Sequence, residues 1–394
     1  MDNPNAAALS CQRHLFDIPG DIAYFNCAYY SPLLNRSRDR LVAAAAEKSH
    51  PWRRTPPDFF ADANEIRRLA SAVLGGEVGG YAVVPAASYG IGVAAQALRH
   101  TVSAGQRILV LDEQFPSNYY AWSRVAGETG ATLDIVPTPD DGDWTRALLA
   151  RFHLDVRIVA VPNCHWTNGA IVDLVAVGRA VRDAGAALVV DATQSLGAMP
   201  LPLDEVRPDF LVAAGYKWLL CPYGVGLLYV APQWRNARPL EENWVTRLGA
   251  EDFAGLTKYQ DQYLAGARRF DVGETCTAAL PGAIAALEQI GAWRVEAVAA
   301  TLGIVNRRIS TFLEAKGFRV GEARTRSPHM FGAVLPPAFQ GDFVGRLRAR
   351  NVFISQRGNS LRFAPHLYIT EADLSRLFDA IEDTLRGAPG RAGN

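Results

Sequence analysis

Two charged residues near the middle of the chain stand just past the ends of short apolar runs. Asp191 closes Leu188-Val189-Val190, and Lys217 follows Asp209-Phe210-Leu211-Val212-Ala213 by four residues. A third run, Gly224 to Val230, comes next. Runs this short, rich in Val and Leu and bounded by Gly or Pro, suit inner strands of a sheet covered on both faces. The acid and the lysine then face one edge of that sheet, the edge where open α/β sheets hold their ligands. One chemistry wants this pair. Pyridoxal phosphate (PLP) forms a Schiff base with a lysine amine, and a carboxylate keeps its ring nitrogen protonated so that the ring can take up electrons. At an effective dielectric near 20, an ion pair at about 4 Å is worth roughly 4 kcal/mol, enough to hold a pyridinium proton at neutral pH. Asp191 is the candidate carboxylate and Lys217 the candidate Schiff-base lysine.

The elements around the pair alternate. Strand runs fall at Tyr81–Pro85, Arg107–Leu111 and Arg157–Pro162, with helical patterns between them, which implies a mainly parallel, doubly covered sheet. Asp58 to Leu74 reads as a helix with Asp58 as its N-cap, and Ser117 as the N-cap of the helix after Phe115-Pro116. Ala86-Ala87-Ser88-Tyr89-Gly90 opens a helix, and a serine among free N–H groups at a helix start is a ready phosphate site as well as a cap. Leu280 to Lys316 reads as one long helix ended by Gly317. Strands follow near 330–335 and 352–355, and Thr370 caps a last helix from Glu371 to Arg386.

The run D-A-T-Q-S-L-G at 191–197, followed by G-Y-K-W at 215–218, resembles the class-V aminotransferase family of fold-type I PLP enzymes. That family includes cysteine desulfurases, kynureninases and isopenicillin N epimerase-like proteins. The resemblance extends from Tyr24 to about Tyr368. It implies an α/β fold with a large domain built on a mainly parallel seven-stranded sheet sandwiched by helices, and a smaller α/β C-terminal domain. The expected boundaries are an N-terminal arm at 1–30, the PLP-binding domain at 31–275 and the small domain at 276–394. It also implies a homodimer with active sites at the interface.

Further residues acquire roles through the resemblance. Gln194 would bond the cofactor's phenolic oxygen. Tyr216 falls where the family places a phosphate-contacting His or Tyr. Ser88 matches the phosphate-binding turn, with Ala87 in place of a commoner Thr. Phe115, in an F-P-S run, would stack on the ring where desulfurases carry a His, with packing in the core as the alternative. Arg268-Arg269-Phe270-Asp271-Val272-Gly273-Glu274-Thr275 resembles a run that reaches the neighbouring subunit's cofactor phosphate, Thr275 being the contact, although Glu274 departs from the pattern. Arg362 matches the arginine that pairs with the substrate α-carboxylate. Asn26 and Tyr30 belong to a segment that lies across the active-site mouth and could touch substrate, or simply lead into a helix. His165, in the loop Asn163-Cys164-His165-Trp166, is a substrate-side candidate or an ordinary hydrogen-bonding loop residue.

Composition narrows the classes. The chain has 394 residues, zero formal net charge and 49% hydrophobic residues, as expected of an ordinary globular chain with ample core. No basic excess points to nucleic acid, and no polybasic or long apolar stretch points to a membrane. Five scattered cysteines form no CxxC pair, so neither a disulfide framework nor a metal site is expected. The first twenty residues lack an apolar signal core, and a reducing cytoplasm is the default expectation. After Arg386 the tail is rich in Gly, Pro and Ala.

The expected function is PLP-dependent chemistry on a small-molecule amino acid, with transamination first and elimination, kynureninase-like hydrolysis or epimerisation as alternatives from the same carbanion. Desulfurase chemistry needs a thiol near the carboxylate arginine, and residues 320–361 contain none. Two other classes compete. Gly90-Ile91-Gly92-Val93-Ala94-Ala95 with Asp112 twenty residues past Gly92 fits a dinucleotide fingerprint, but Pro85 to Ser88 separate it from its strand. A relative that binds PLP without turnover would not need Asp191, Lys217 and Arg362 together.

Overall fold

The computed structural model describes residues 8–386. The Gly/Pro/Ala-rich tail and the first seven residues lie outside that range.

In chain order, β1 (Ala23–Tyr24), α1 (Asn35–Glu47) and α2 (Asp58–Leu74) precede the central sheet. The sheet elements are β2 (Tyr81–Val84), α3 (Ala87–Leu98), β3 (Arg107–Leu111), α4 (Pro116–Thr129), β4 (Thr132–Val136), α5 (Trp144–Leu149), β5 (Val156–Pro162), α6 (Leu174–Asp183), β6 (Ala187–Asp191), α7 (Leu203–Val206), β7 (Phe210–Ala214) and β8 (Gly226–Val230). Then come α8 (Leu280–Trp293), α9 (Val295–Ala315), β9 (Arg319–Val320), β10 (Phe331–Val334), α10 (Phe343–Arg348), β11 (Val352–Phe353), β12 (Ser355–Arg357), β13 (Ser360–Phe363) and α11 (Glu371–Arg386).

The seven strands run in the order β2-β8-β7-β6-β5-β3-β4. β8 is antiparallel to both its neighbours, and the pairs from β7 to β4 are all parallel. Side chains alternate between two buried layers. Leu109, Val159, Val161, Leu188, Val190 and Leu211 join a core shared with α2, α6, α8 and the C-terminal elements. Ile108, Val110, Ile158, Ala160, Val189 and Val212 join a second core with α3 and α4. Both faces are dry, which is why these strands read as unbroken apolar runs rather than alternating ones.

A second sheet, β12-β13-β10-β9, is antiparallel throughout. The N-terminal segment is stitched to this C-terminal region: β1 pairs with β11, and Asn26 bridges to Ala364. Among the described residues no helix is long and apolar enough to cross a membrane.

Three local expectations change. The long helix from Leu280 is two helices, broken at Arg294, whose φ of 66° no α-helix accommodates. The cap of α4 is Phe115 rather than Ser117, because Pro116 takes the first helical position, where its missing N–H costs nothing. Asp58 is the first residue of α2 rather than its cap, and it accepts hydrogen bonds from the Thr55 N–H and hydroxyl at 2.7 Å each. Thr370 does cap α11, and Asp373 answers it: Thr370 N–H donates to Asp373 Oδ2 (2.8 Å) and Asp373 N–H to Thr370 Oγ1 (3.1 Å).

Candidate active site

Strand direction builds the site. β2, β3, β5, β6 and β7 each end on one edge of the central sheet, and the residues just beyond those ends line a single pocket. β2 delivers Ala87 and Ser88, β3 Gln114 and Phe115, β5 Cys164 and Trp166, β6 Asp191 and Gln194, and β7 Tyr216 and Lys217. The turn into antiparallel β8 adds Tyr223 to Val225.

Lys217 is buried, with its Nζ 5.5 Å from the ring centroids of both Phe115 and Tyr216. Burial, then the positive field of Arg362, brings its amine down to about 8, against a smaller upward pull from Asp191. Asp191 is buried at the end of β6, and its Oδ1 accepts the Thr193 N–H at 3.1 Å. Burial raises its pKa, while hydrogen bonds from Thr193 and the charge of Lys217 oppose the rise. Among the described residues Asp191 and Lys217 are in no ion pair, so the pocket holds an acid and an amine that are not spent on each other.

Gln194 is oriented by Trp218, the residue after Lys217. The Trp218 indole N–H donates to Gln194 Oε1 at 3.0 Å, which turns Nε2 toward the Ala28 carbonyl at 3.1 Å and leaves its second N–H to donate elsewhere. His329 Nε2–H donates to the Gln194 carbonyl, and its ring meets Trp218 edge to face at 4.4 Å.

The start of α3 has no side-chain cap, and among the described residues the N–H groups of Ala87 and Ser88 have no protein acceptor. Such a start suits an anion. Gly90, in the next turn, lets α3 sit directly on β7: a Cβ there would come within 2.6 Å of Val212 Cγ2. That close approach accounts for the glycine without a dinucleotide. The fingerprint fails on topology too, since β2 is an edge strand beside antiparallel β8. Asp112 is engaged by the Glu113 N–H (3.0 Å) and the Thr138 hydroxyl (3.0 Å).

The N-terminal segment does lie over this edge. Ser31 donates to the Tyr216 carbonyl through both N–H (3.2 Å) and hydroxyl (2.9 Å), clasping the turn that carries Lys217. The Tyr30 ring is half-exposed, 5.6 Å from Tyr216 and 6.0 Å from Tyr223. Asn26 is buried with an Oδ1 that finds no donor.

Arg362, on β13, is buried to 1% exposure. Its Nε donates to Ser355 Oγ (3.2 Å) and its Nη1 to the Trp166 carbonyl (2.7 Å), while Nη2 has no acceptor. Burial lowers its pKa to about 9. A buried guanidinium with an idle donor, bonded to the pocket-lining residue Trp166, has the chemistry to bind an anion.

Of the expected residues, Asn26, Tyr30, Arg362, His165 and Thr275 are not among those that line the pocket. His165 does not line the pocket: it stacks on Trp144 (5.3 Å, 13°), Nε2–H donates to the Asp112 carbonyl (3.2 Å), and Nδ1 accepts the Thr167 hydroxyl (2.8 Å). Burial brings it to about 4, so it is a neutral core histidine. Its loop neighbours Cys164 and Trp166 line the pocket instead, because alternate residues leaving β5 face opposite ways. Thr275 is half-buried and does not line the pocket.

No thiol here is poised for nucleophilic work. Burial pushes Cys164 up to about 12 and raises Cys27 further, and Cys11 and Cys276 lie on the surface.

PLP needs an amine, a carboxylate, a flat partner, a donor for its phenolic oxygen and an anion cradle. Lys217, Asp191, Phe115, Gln194 and the α3 start are the residues of this pocket that fit those needs.

The comparisons point the same way. YcbU of Bacillus subtilis (strain 168), described as an uncharacterized aminotransferase, is 25% identical over 81% of this chain and 81% of its own length. The isopenicillin N epimerase of Streptomyces clavuligerus is 25% identical over 82% of this chain and 84% of its own. Among solved structures, a cysteine desulfurase from Thermococcus onnurineus NA1 superposes with a TM-score of 0.82 at 18% identity, covering 97% of this chain and 100% of that one. A variant of the cystine C–S lyase C-DES, with glycine covalently linked to its PLP cofactor, gives 0.83 at 18% identity over 94% and 99%. The aminotransferase class-V model matches residues 60–368, a span that takes in every strand of the central sheet and both Asp191 and Lys217. A PLP-dependent enzyme of the class-V aminotransferase family is therefore what this chain belongs among.

Proposed function

We propose that the protein is an aminotransferase acting on a small-molecule amino acid, with its PLP held by Lys217, Asp191, Gln194, Phe115, Tyr216 and the Ala87–Ser88 turn. The observation that carries the reading is the buried guanidinium of Arg362 with Nη2 unpaired, beside a pocket whose lysine and carboxylate are in no ion pair among the described residues.

When bound, PLP supplies the electron sink for the carbanion formed at the substrate's Cα. Arg362 would receive the α-carboxylate and so orient the substrate's Cα. Asn26 and Tyr30 close over the substrate from the N-terminal segment. Lys217, with an amine near 8, gives and takes the α-proton at neutral pH, where proton transfer is most efficient for a group of that basicity. Asp191 holds the ring proton. Phe115 presents a hydrocarbon face and moves no proton. Cys164 stays a thiol, which disfavours desulfuration.

The protein works as a homodimer, with Thr275 reaching the partner's cofactor phosphate. Its place outside its own pocket supports that role, and sedimentation of an active monomer would remove it.

The deciding experiment mixes the holoenzyme with single amino acids, without keto acid, and identifies the cofactor by mass spectrometry. Conversion of PLP to pyridoxamine phosphate establishes transamination and names the donor. Unchanged PLP with altered substrate establishes the second reading, epimerisation or elimination, which the similarity to the Streptomyces epimerase favours.

A further inference from the structure

We infer that the site reads a second negative charge on its substrate, and that Arg357 is the residue that reads it. The amino acid acted on is then acidic at the end of a short side chain: a dicarboxylate, or a sulfinate of similar shape. The inference rests on the proposal that Arg362 anchors the α-carboxylate.

Its basis is the β12–β13 hairpin. Ser355 pairs with Arg362, and Arg357 with Ser360. Side chains alternate along a strand, so Ser355, Arg357, Ser360 and Arg362 share one face. Arg357 is the diagonal neighbour of Arg362, at a spacing of about 7–8 Å. Two guanidiniums side by side on one hairpin face repel each other, and such a pair ordinarily draws an acid between them. Here none comes: among the described residues neither arginine is in an ion pair, although most arginines of the chain are. The repulsion is felt in the pocket, where the fields of both arginines press the Lys217 amine down.

Arg357 is also held in place without being satisfied. Its guanidinium lies over Tyr29 at 5.9 Å and over Trp166 at 5.6 Å. Rings at those distances attract the cation through its faces and leave its N–H edge free. One of its donors is taken, Nη1 by the Gln356 carbonyl at 2.7 Å. One ring belongs to the pocket wall and the other to the N-terminal segment beside it. Trp166 lines the pocket and carries the carbonyl that holds Arg362, and Tyr29 sits in the segment that covers Lys217. A substrate with one carboxylate neutralises Arg362 and leaves Arg357 facing only rings. A substrate with a second acid a few bonds away neutralises both.

Two measurements on the full-length protein test this. The first is the dissociation constant of each amino acid from the holoenzyme, read from the cofactor's absorbance, for aspartate, glutamate and cysteine sulfinate against asparagine, glutamine and leucine. The acidic set is expected to bind at least tenfold more tightly. Arg357→Gln should weaken the acidic set by roughly 10- to 100-fold, the worth of a charged hydrogen bond, and leave the neutral set within twofold. Arg357→Lys should restore part of the difference. Equal loss for acidic and neutral amino acids would overturn the inference, because Arg357 would then hold the α-carboxylate or the hairpin. The second measurement is calorimetry of glutarate against pentanoate, which needs no cofactor chemistry. Tighter glutarate binding that disappears in Arg357→Gln sustains the inference even if no PLP is bound, a result that would sink the cofactor assignment instead. No preference for glutarate overturns the inference outright.

Discussion

Lys217 sits where its charge is least welcome. Burial and two arginine fields bring its amine to about 8 from an ordinary value of 10.5, and the protein accepts that cost for a nucleophile that is half unprotonated at about 8 rather than at 10.5. The sign of the linkage follows. Because the folded value lies below the unfolded one, the folded protein binds fewer protons between about 8 and 10.5. Stability is lost as pH falls through that window, and the full penalty, on the order of 3 kcal/mol, is present below 8. Lys217→Met should therefore abolish turnover and yet make the cofactor-free protein more stable at pH 7 in urea unfolding. The gain should shrink as pH rises past 8, and a variant equally destabilised at pH 7 and 9 would refute the account. The rate at which cofactor-free protein captures PLP covalently should rise through about 8 and level off, and Arg357→Gln should move that inflection upward. Asp191 and Lys217 were legible in sequence because one ends a strand run and the other follows a strand end within a few residues, and Gln194 through the motif that resembles the family's. Arg357 and Trp218 were not. What matters about them is a cross-strand diagonal and an indole N–H, and neither leaves a trace in spacing along the chain.

Elements hold the site through close approaches, and α3 is the sharpest case. Its start offers N–H groups to an anion only if the helix lies hard against β7, and Gly90 permits that. Gly90→Ala gains helix propensity of up to ~1 kcal/mol. Its Cβ would meet Val212 at 2.6 Å in a packed layer, where overfilling costs about 1–3 kcal/mol. The net expectation is a lower melting temperature and weaker PLP binding. Gly92→Ala is the control. Its Cβ would meet only the tip of Leu240, a half-exposed flexible side chain, at 3.1 Å, so propensity should win and stability hold or rise. Opposite signs for two alanines in one helix would separate contact from propensity, and equal signs would reject the packing argument. The same physics explains what the sequence concealed at this scale. The glycine spacing matched a dinucleotide turn because both uses need a missing Cβ, and only the strand beside the helix tells them apart. The break at Arg294 was hidden because the apolar periodicity of α8 and α9 runs on either side of a single left-handed residue.

At the scale of the whole molecule, the two sheets meet through buried histidines. The central sheet's layout could be read from its apolar runs, but not the return of residues 23–28 to pair with 352–364, nor the cluster that forms behind Gln194, since both join positions hundreds of residues apart. In that cluster His329 bonds the Gln194 carbonyl and faces Trp218. His366 lies among Phe16, Trp218, Trp293 and Tyr368 with its Nδ1 unpaired. Burial brings His329 to about 4 and His366 to about 3, and His165 at the sheet edge to about 4. All three lie below the unfolded value of about 6.5, so the unfolded chain binds more protons from 6.5 downward. Stability is whole above 6.5 and drains away as pH falls toward 4. Asp191 and Asp271 pull the other way, because burial raises both and the folded protein takes up their protons first. The histidines' share favours unfolding in acid. His366→Phe isolates one share of it. The ring fits an aromatic cage and gives up no hydrogen bond found among the described residues, so stability at pH 7 should hold or improve. The unfolding free energy, measured between pH 6.5 and 4.5, should then fall less steeply than in the parent. An unchanged slope would place the acid sensitivity elsewhere than in this junction behind the cofactor pocket.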